Sequence, residues 1–326
     1  MIATVTLNPS LDEWIGLPSL TIGELNRSRS WARYPGGKGI NVSRVIHELG
    51  GHTIAFGLAG GEDGMILRER INRLKLRHVF VDVPGSTRNN YKIQTDRPRA
   101  LTEINSPGPW VSATALRALQ HRLFSARHRV RALTLSGSLP PGAPADIYAR
   151  WIRRFRLYAP VVLDASGEAL RRGLRAKPWM IKPNRQETEE LLTTKLSSLR
   201  RVMDAARHLA SETTGAAIIS LGKDGAVLAS GRDVWAARPP KIPVESAVGA
   251  GDSLVGGFLW GWITTQSLPE AFRLGVACGT ATAMTPGTEL CHRRDIRRLL
   301  PRIRIHRLTK CFEFRVSSFE VGCWMA

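Results

Sequence analysis

The sequence predicts an α/β fold in which one mostly parallel sheet is sandwiched by helices and a small antiparallel β lid stands beside it. Three observations carry this. Short β-branched runs alternate with amphipathic segments of helix length along most of the 326 residues, the pattern of parallel strands joined by helical crossovers. Two stretches, 12–34 and 88–104, instead alternate polar and apolar residues with no helix between them, as strands with one solvated face do. Hydrophobic residues make up 43% of the chain, enough to fill the core of one large domain.

In chain order, strands are expected at 3–7, 53–56, 79–81, 132–135, 161–163, 179–181 and 216–220. Helices are expected at 41–49, 63–74, 111–126, 143–156 and 197–211. Apolar residues recur there at helical spacing and polar residues cover the other face. The periodicity fades after about residue 304, and 310–326 reads as an appended tail.

Composition excludes several classes. Residues 1–7 read as a strand and not as a charged leader, and the apolar run 254–263 is far shorter than a bilayer span. The chain therefore reads as soluble and cytoplasmic. Its four cysteines form no CxxC pair and its eight histidines no HxxxH set, so neither a disulfide framework nor a structural zinc is implied. The net charge of +20 invites a nucleic-acid partner. Its distribution argues against one: the basic residues are scattered over helix faces, as at Arg150, Arg153, Arg154 and Arg156, with no aromatic-interleaved tract.

Two glycine stretches carry the chemistry. The first, YPGGKGINVSRVIHELGG from Tyr34 to Gly51, is not a Walker A loop, because Lys38 is followed by Gly39 and Ile40. Nor is it GxGxxG. What remains is a turn at Gly36, Gly37 and Gly39 that lets backbone approach a ligand, a cation at Lys38, and Asn41 at a helix start. These parts suit a small, hydroxylated, anionic ligand, and equally a tight structural turn. The second, SAVGAGDSLVGG from Ser246 to Gly257, sets Gly249, Ala250 and Gly251 before an apolar helix. Their N–H groups can converge at the positive end of that helix. Asp252 sits at the same end, as a helix cap or as a general base for phosphoryl transfer.

These two stretches, in this order, resemble the two signatures of the PfkB carbohydrate kinases, the ribokinase-like family. Between and around them LNPSLD (7–12), GELNR (23–27), TRNNYKI (87–93), SGSLPPG (136–142), KPNRQE (182–187) and SLGKDGA (220–226) match as well. The resemblance runs to about residue 304. It is nearest to the phosphohexose kinases of that family, the 1-phosphofructokinases above all, through GELNR, PGGKGIN, TRNN and AKPWMIKPN.

The resemblance implies a ribokinase-like domain over 1–304, followed by a tail, 305–326. It implies ATP as co-substrate, Mg2+ as cofactor, fructose 1-phosphate as acceptor, and a homodimer joined through the lid. Asp252 would be the catalytic base, with Gly249, Ala250 and Gly251 holding the moving phosphoryl. Asp12, Gly36, Gly37 and Asn41 would bind sugar hydroxyls, and Arg27, Lys38 and Arg88 the phosphate already on the sugar. Lys182, Asn184, Ser220, Leu221 and Gly222 would line the nucleotide side, with Asn184 and Glu187 organising water around Mg2+. On their own, Asn184 and Glu187 read as an N-cap and a first-turn acid. A 6-phosphofructokinase or tagatose-6-phosphate kinase of the same family stays open. So does a non-catalytic sugar-phosphate or nucleic-acid-associated binding protein.

Overall fold

A computed structural model describes residues 1–308. Seven parallel strands form the body of the main sheet: β1 (Ile2–Thr6), β4 (Thr53–Ala59), β5 (His78–Asp82), β8 (Ala132–Ser136), β9 (Val161–Asp164), β10 (Met180–Ile181) and β11 (Ala216–Ser220). Their spatial order is β5-β4-β1-β8-β9-β10-β11, and all seven stand where the sequence places a strand. Beyond β11 the sheet continues antiparallel through β12 (Ala226–Ser230), β13 (Asp233–Arg238) and β14 (Arg304–Arg307). The sequence pattern did not mark these three. β14 carries the sheet past residue 304, and the stretch 310–326 lies outside the described residues.

Helices cover both faces because successive strand residues point to opposite sides. In β9, Val161 and Leu163 pack with α3 (Ala113–Ser125), α4 (Ile147–Phe155), α5 (Gly167–Leu174) and α7 (Leu199–Ser211). Val162 between them packs with α1 (Lys38–Glu48), α8 (Ala250–Thr265), α9 (Leu268–Thr282) and α10 (Arg293–Leu299). Of the remaining helices, α2 (Gly61–Arg73) packs below the lid beside Leu11 and Ile40, and α6 (Arg185–Leu192) follows β10. α8 is buried nearly all round and α9 is rich in Gly, Ala, Thr and Cys. Neither has a polar stripe for sequence periodicity to detect. Among the described residues, no helix is long and apolar enough to cross a membrane.

The lid is a second sheet of four strands, ordered β3 (Ser30–Gly36), β2 (Ser10–Leu17), β6 (Arg88–Asp96) and β7 (Arg99–Asn105). Both hairpins are antiparallel as expected, but β2 and β6, which join them, run parallel. The reason is topological. β2 follows β1 and β6 follows β5, so each rises from the same end of a parallel sheet.

Candidate active site

The site lies where ligands gather in open parallel sheets, at the carboxyl ends of the strands. β1 feeds Asp12 on β2, β9 ends on Asp164, β10 is followed by Lys182 and Asn184, and β11 ends on Ser220. Two helix N-termini, those of α1 and α8, point at the same place. They are held together by Gly256, whose absent Cβ would lie 2.9 Å from Val45 and 3.1 Å from the Val42 carbonyl oxygen. This close approach sets Asn41 Nδ2 2.8 Å from Asp252 Oδ2, to which it donates.

Gly249 is the N-cap of α8, with φ +78° and no side chain capping the helix. The first N–H groups of a helix have no intrahelical partner. The Ala250 amide, expected among the donors to the phosphoryl, instead donates 3.3 Å to the Ala247 carbonyl oxygen, which leaves the next amides, those of Gly251 and Asp252, as the donors without an intrahelical partner. A Cβ on Gly251 would stand 3.4 Å from Lys182 Nζ, which places that ammonium against the turn.

At the centre is a charge cluster that only partly matches the sequence reading. Asp164, fully buried, accepts from Lys38 Nζ at 3.0 Å and faces Lys182 Nζ at 3.5 Å, both through Oδ1. Its Oδ2 is buried with no hydrogen-bond partner. Burial opposes ionisation of Asp164, but Lys182 and Lys38 outweigh it and hold the carboxyl below its ordinary range. For Lys38, burial disfavours the charge, while Asp164, Asp252 and Glu187 more than offset it and raise the pKa above that of a free lysine. Asp252 behaves oppositely: burial pushes its carboxyl up to about 6, Asp164 adds to this, and Lys38, Lys182 and the Asn41 amide restrain it. A carboxylate poised near neutrality beside oriented N–H donors is the equipment of general-base catalysis.

The lid supplies the other wall. Asp12 is buried, its Oδ1 accepting from Ser10 Oγ at 2.8 Å and Asn90 Nδ2 at 3.3 Å. Gly36 is required beside it, since a Cβ there would lie 2.4 Å from Asp12 Oδ1. Gly37, φ +119°, is the N-cap of α1. Arg88 donates to the carbonyl oxygens of Ser106 at 3.0 Å and Asn8 at 3.1 Å, leaving Nε buried without a partner. Burial lowers its pKa and nearby Asp12 counteracts this.

Lys38 is committed to Asp164, Arg88 is anchored to backbone beside Asp12, and Arg27 is exposed in the loop between β2 and β3. The physical reason is that Lys38 opens α1 and faces the strand ends, where Asp164 closes β9 and accepts from it at 3.0 Å.

Among the residues expected on the nucleotide side, Asn184 pairs with Ser220 in a parallel bridge, and Leu221 and Gly222 follow directly. Asn184 and Glu187 form a capping box: Asn184 Oδ1 accepts from the Glu187 amide, and Glu187 Oε2 from the Asn184 amide, each at 2.8 Å. The helix-cap reading of this pair therefore holds in full. Glu187 nevertheless remains close enough to support the charge on Lys38, and its Oε1 takes no part in the cap. That leaves one carboxylate oxygen and no dense ligand cage: among the described residues, no three His, Cys, Asp or Glu side chains cluster to hold a metal. Such a sparse donor set fits Mg2+, which keeps most of its waters, and would not fit a metal that needs direct protein ligands.

Asp164, the buried carboxylate on which Lys38 and Lys182 converge, lies outside the motifs singled out in the sequence. Its signal was present: a lone carboxylate closing the buried apolar run Val161–Asp164.

Comparison with known proteins agrees with this geometry. The 1-phosphofructokinase of Bacillus subtilis is 38% identical over 309 residues, covering 94% of this chain and all of that protein. The 1-phosphofructokinase of Escherichia coli K12 is 32% identical over 303 residues, 93% of this chain and 97% of its own. Among solved structures, phosphofructokinase-2 of E. coli in complex with substrates and products superimposes with a TM-score of 0.88 at 30% identity, over 92% of this chain and 98% of that one. The same enzyme has been seen in a tetrameric inhibited form. The family model of the pfkB carbohydrate kinases matches residues 6–294, and with the strand-end site built from both glycine signatures, the chain belongs to the pfkB family of carbohydrate kinases.

Proposed function

We propose that the chain is a 1-phosphofructokinase, transferring the γ-phosphoryl group of ATP to the free primary hydroxyl of fructose 1-phosphate to give fructose 1,6-bisphosphate and ADP. The observation that carries this reading is Asp252, raised toward neutrality at the N-terminus of α8 and flanked by the unsatisfied amides of that helix. Transfer is in line. Asp252 accepts the proton of the attacking hydroxyl, and the Gly251 and Asp252 amides, with Lys182 beside them, hold the oxygens of the moving phosphoryl. One such donor is worth about 2.7–4 kcal/mol in other enzymes, so two with adjacent lysines supply a large part of the barrier reduction. Lys38, held charged by Asp164, adds positive potential at the same point.

Asp12 and Asn41 accept and donate to sugar hydroxyls, and Arg88, within reach of the Asp12 charge, meets the phosphate already on the sugar. Asn184, Ser220, Leu221 and Gly222 line the nucleotide. Glu187 and Asn184 would hold Mg2+ through water, and the ion would neutralise the nucleotide phosphates. Trp31, Tyr91 and Ile104, exposed apolar residues of the lid strands, supply the surface for a homodimer. With ATP and a phosphosugar as substrates, the enzyme would act in the cytoplasm.

The test is ADP release with four acceptors. Fructose 1-phosphate should give the highest kcat/KM, fructose 6-phosphate and tagatose 6-phosphate lower values, and unphosphorylated fructose the lowest. A clear preference for fructose 6-phosphate or tagatose 6-phosphate would reassign the substrate within the family. Equal use of fructose would remove the phosphate-recognition part of the reading, and no turnover with any of them would refute the activity.

A further inference from the structure

Arg44 stands one helical turn after Asn41 on α1 and has no part in the reaction as described. Its Nη1 donates 3.2 Å to Asn41 Oδ1, while Asn41 Nδ2 donates 2.8 Å to Asp252 Oδ2. A carboxamide has one accepting end and one donating end, and a half-turn exchanges them. Only one orientation serves Asp252; the other would aim a carbonyl oxygen at a carboxylate. A guanidinium can donate but never accept, so it admits only the serviceable orientation.

We propose that Arg44 is a positioning residue for phosphoryl transfer: by holding the carbonyl oxygen of Asn41 it locks the carboxamide with its NH2 group toward Asp252, and so fixes the orientation of the catalytic carboxylate. This rests on the reading of Asp252 as the base.

The surroundings of Arg44 support a dedicated role. Burial disfavours its charge, and what counteracts this comes from three other elements: Asp12 on β2, Tyr34 on β3, and Glu289 and Cys291 in the segment before α10. A guanidinium drawn into such a site at the expense of solvation is retained for the contacts it makes. Asp252 itself is faced by Lys38 and Asn41 from α1, Asp164 from β9 and Lys182 after β10, and of these only Asn41 touches it through a hydrogen bond. Loss of that donor leaves the burial and the Asp164 charge less opposed. The carboxyl should then hold its proton to higher pH.

The experiment is a double-mutant cycle on the full chain: wild type, Arg44→Met, Asn41→Ala and the double variant. Asp252→Asn is the reference, and kcat and KM for fructose 1-phosphate and ATP are measured between about pH 5 and 9. Arg44→Met should lower kcat by about 10- to 100-fold with the KM for ATP little changed, and should move the acid limb of kcat to higher pH. The double variant should be no worse than the poorer single variant, because both changes remove one chain of contacts. Arg44→Gln keeps a polar side chain that can either donate or accept. It should lose activity like Arg44→Met, and it serves if the latter does not fold. Multiplicative losses in the double variant, an unmoved acid limb, or wild-type kcat in Arg44→Gln would each overturn the proposal. Activity retained in Asp252→Asn would instead remove the base reading on which it stands.

Discussion

Asp252→Asn should make the protein more stable as it becomes inactive, and the gain should depend on pH. The carboxyl is buried and titrates near 6, against 3.8 for an unperturbed aspartate. Between those values the folded protein keeps a proton that the unfolded chain has released. Stability therefore falls as pH rises through that window. Above it the ionised carboxylate costs the fold on the order of 3 kcal/mol, reckoned at about 1.4 kcal/mol per pH unit. Asparagine is nearly isosteric, can still accept from Asn41, and carries no charge to desolvate. The variant should gain up to that amount at pH 8, roughly half of it appearing between about pH 5 and 8. In a chain of this size each kcal/mol moves Tm by about 2 °C, so a rise of roughly 5 °C is expected. Paired scanning calorimetry at both pH values measures it. Turnover in the same preparation should fall by about 100-fold or more. Equal stabilisation at both pH values, or a loss of stability at pH 8, would mean that Asp252 is not the strained group described here. More than about a tenth of wild-type kcat would reject its role as base.

Three further outcomes follow from the site. Turnover at saturating substrate should decline below about pH 6 along a single-proton limb as Asp252 protonates; the phosphosugar ionises in the same range, so kcat and not kcat/KM is the quantity to follow, and a flat profile down to about pH 5 would contradict it. Arg88→Ala should raise the KM for fructose 1-phosphate by roughly 10- to 150-fold, leave the KM for ATP near its original value, and narrow the preference over plain fructose. An unchanged ratio of the two sugars would place the phosphate elsewhere. Asp164→Asn leaves Lys38 and Lys182 without their shared carboxylate and should cost about 3–5 kcal/mol in urea unfolding. A loss below about 1 kcal/mol would show that the two ammonium groups are compensated by water.

Local patterns along the chain carry the frame. Seven parallel strands, the two lid hairpins and the turns before α1 and α8 are written in residues close together in the chain. A period of two or 3.6 and a glycine at a tight turn are local properties that hold wherever the segment packs. The place of Asp252 at the head of an apolar helix was legible for the same reason, whereas its neighbours left it either a helix cap or a base, and only the resemblance to the family chose between them. β12 and the helix α9 were not legible, because their apolar and small residues show no polar stripe, and the edge strands β13 and β14 are too short for a period of two to stand out before the sheet pairs them.

The chemistry between side chains emerges only once the strands and helices have packed. Lys38 meets Asp164 across 126 positions and Asn41 meets Asp252 across 211. Those encounters exist because the strand order sets β9 two places from β1, and because Gly256 lets α8 settle against α1. A lysine in a glycine turn can serve a ligand's phosphate or a buried carboxylate equally well on local grounds. Which anion stands in front of it depends on desolvation and distance, and these are fixed only when the strands and helices have packed.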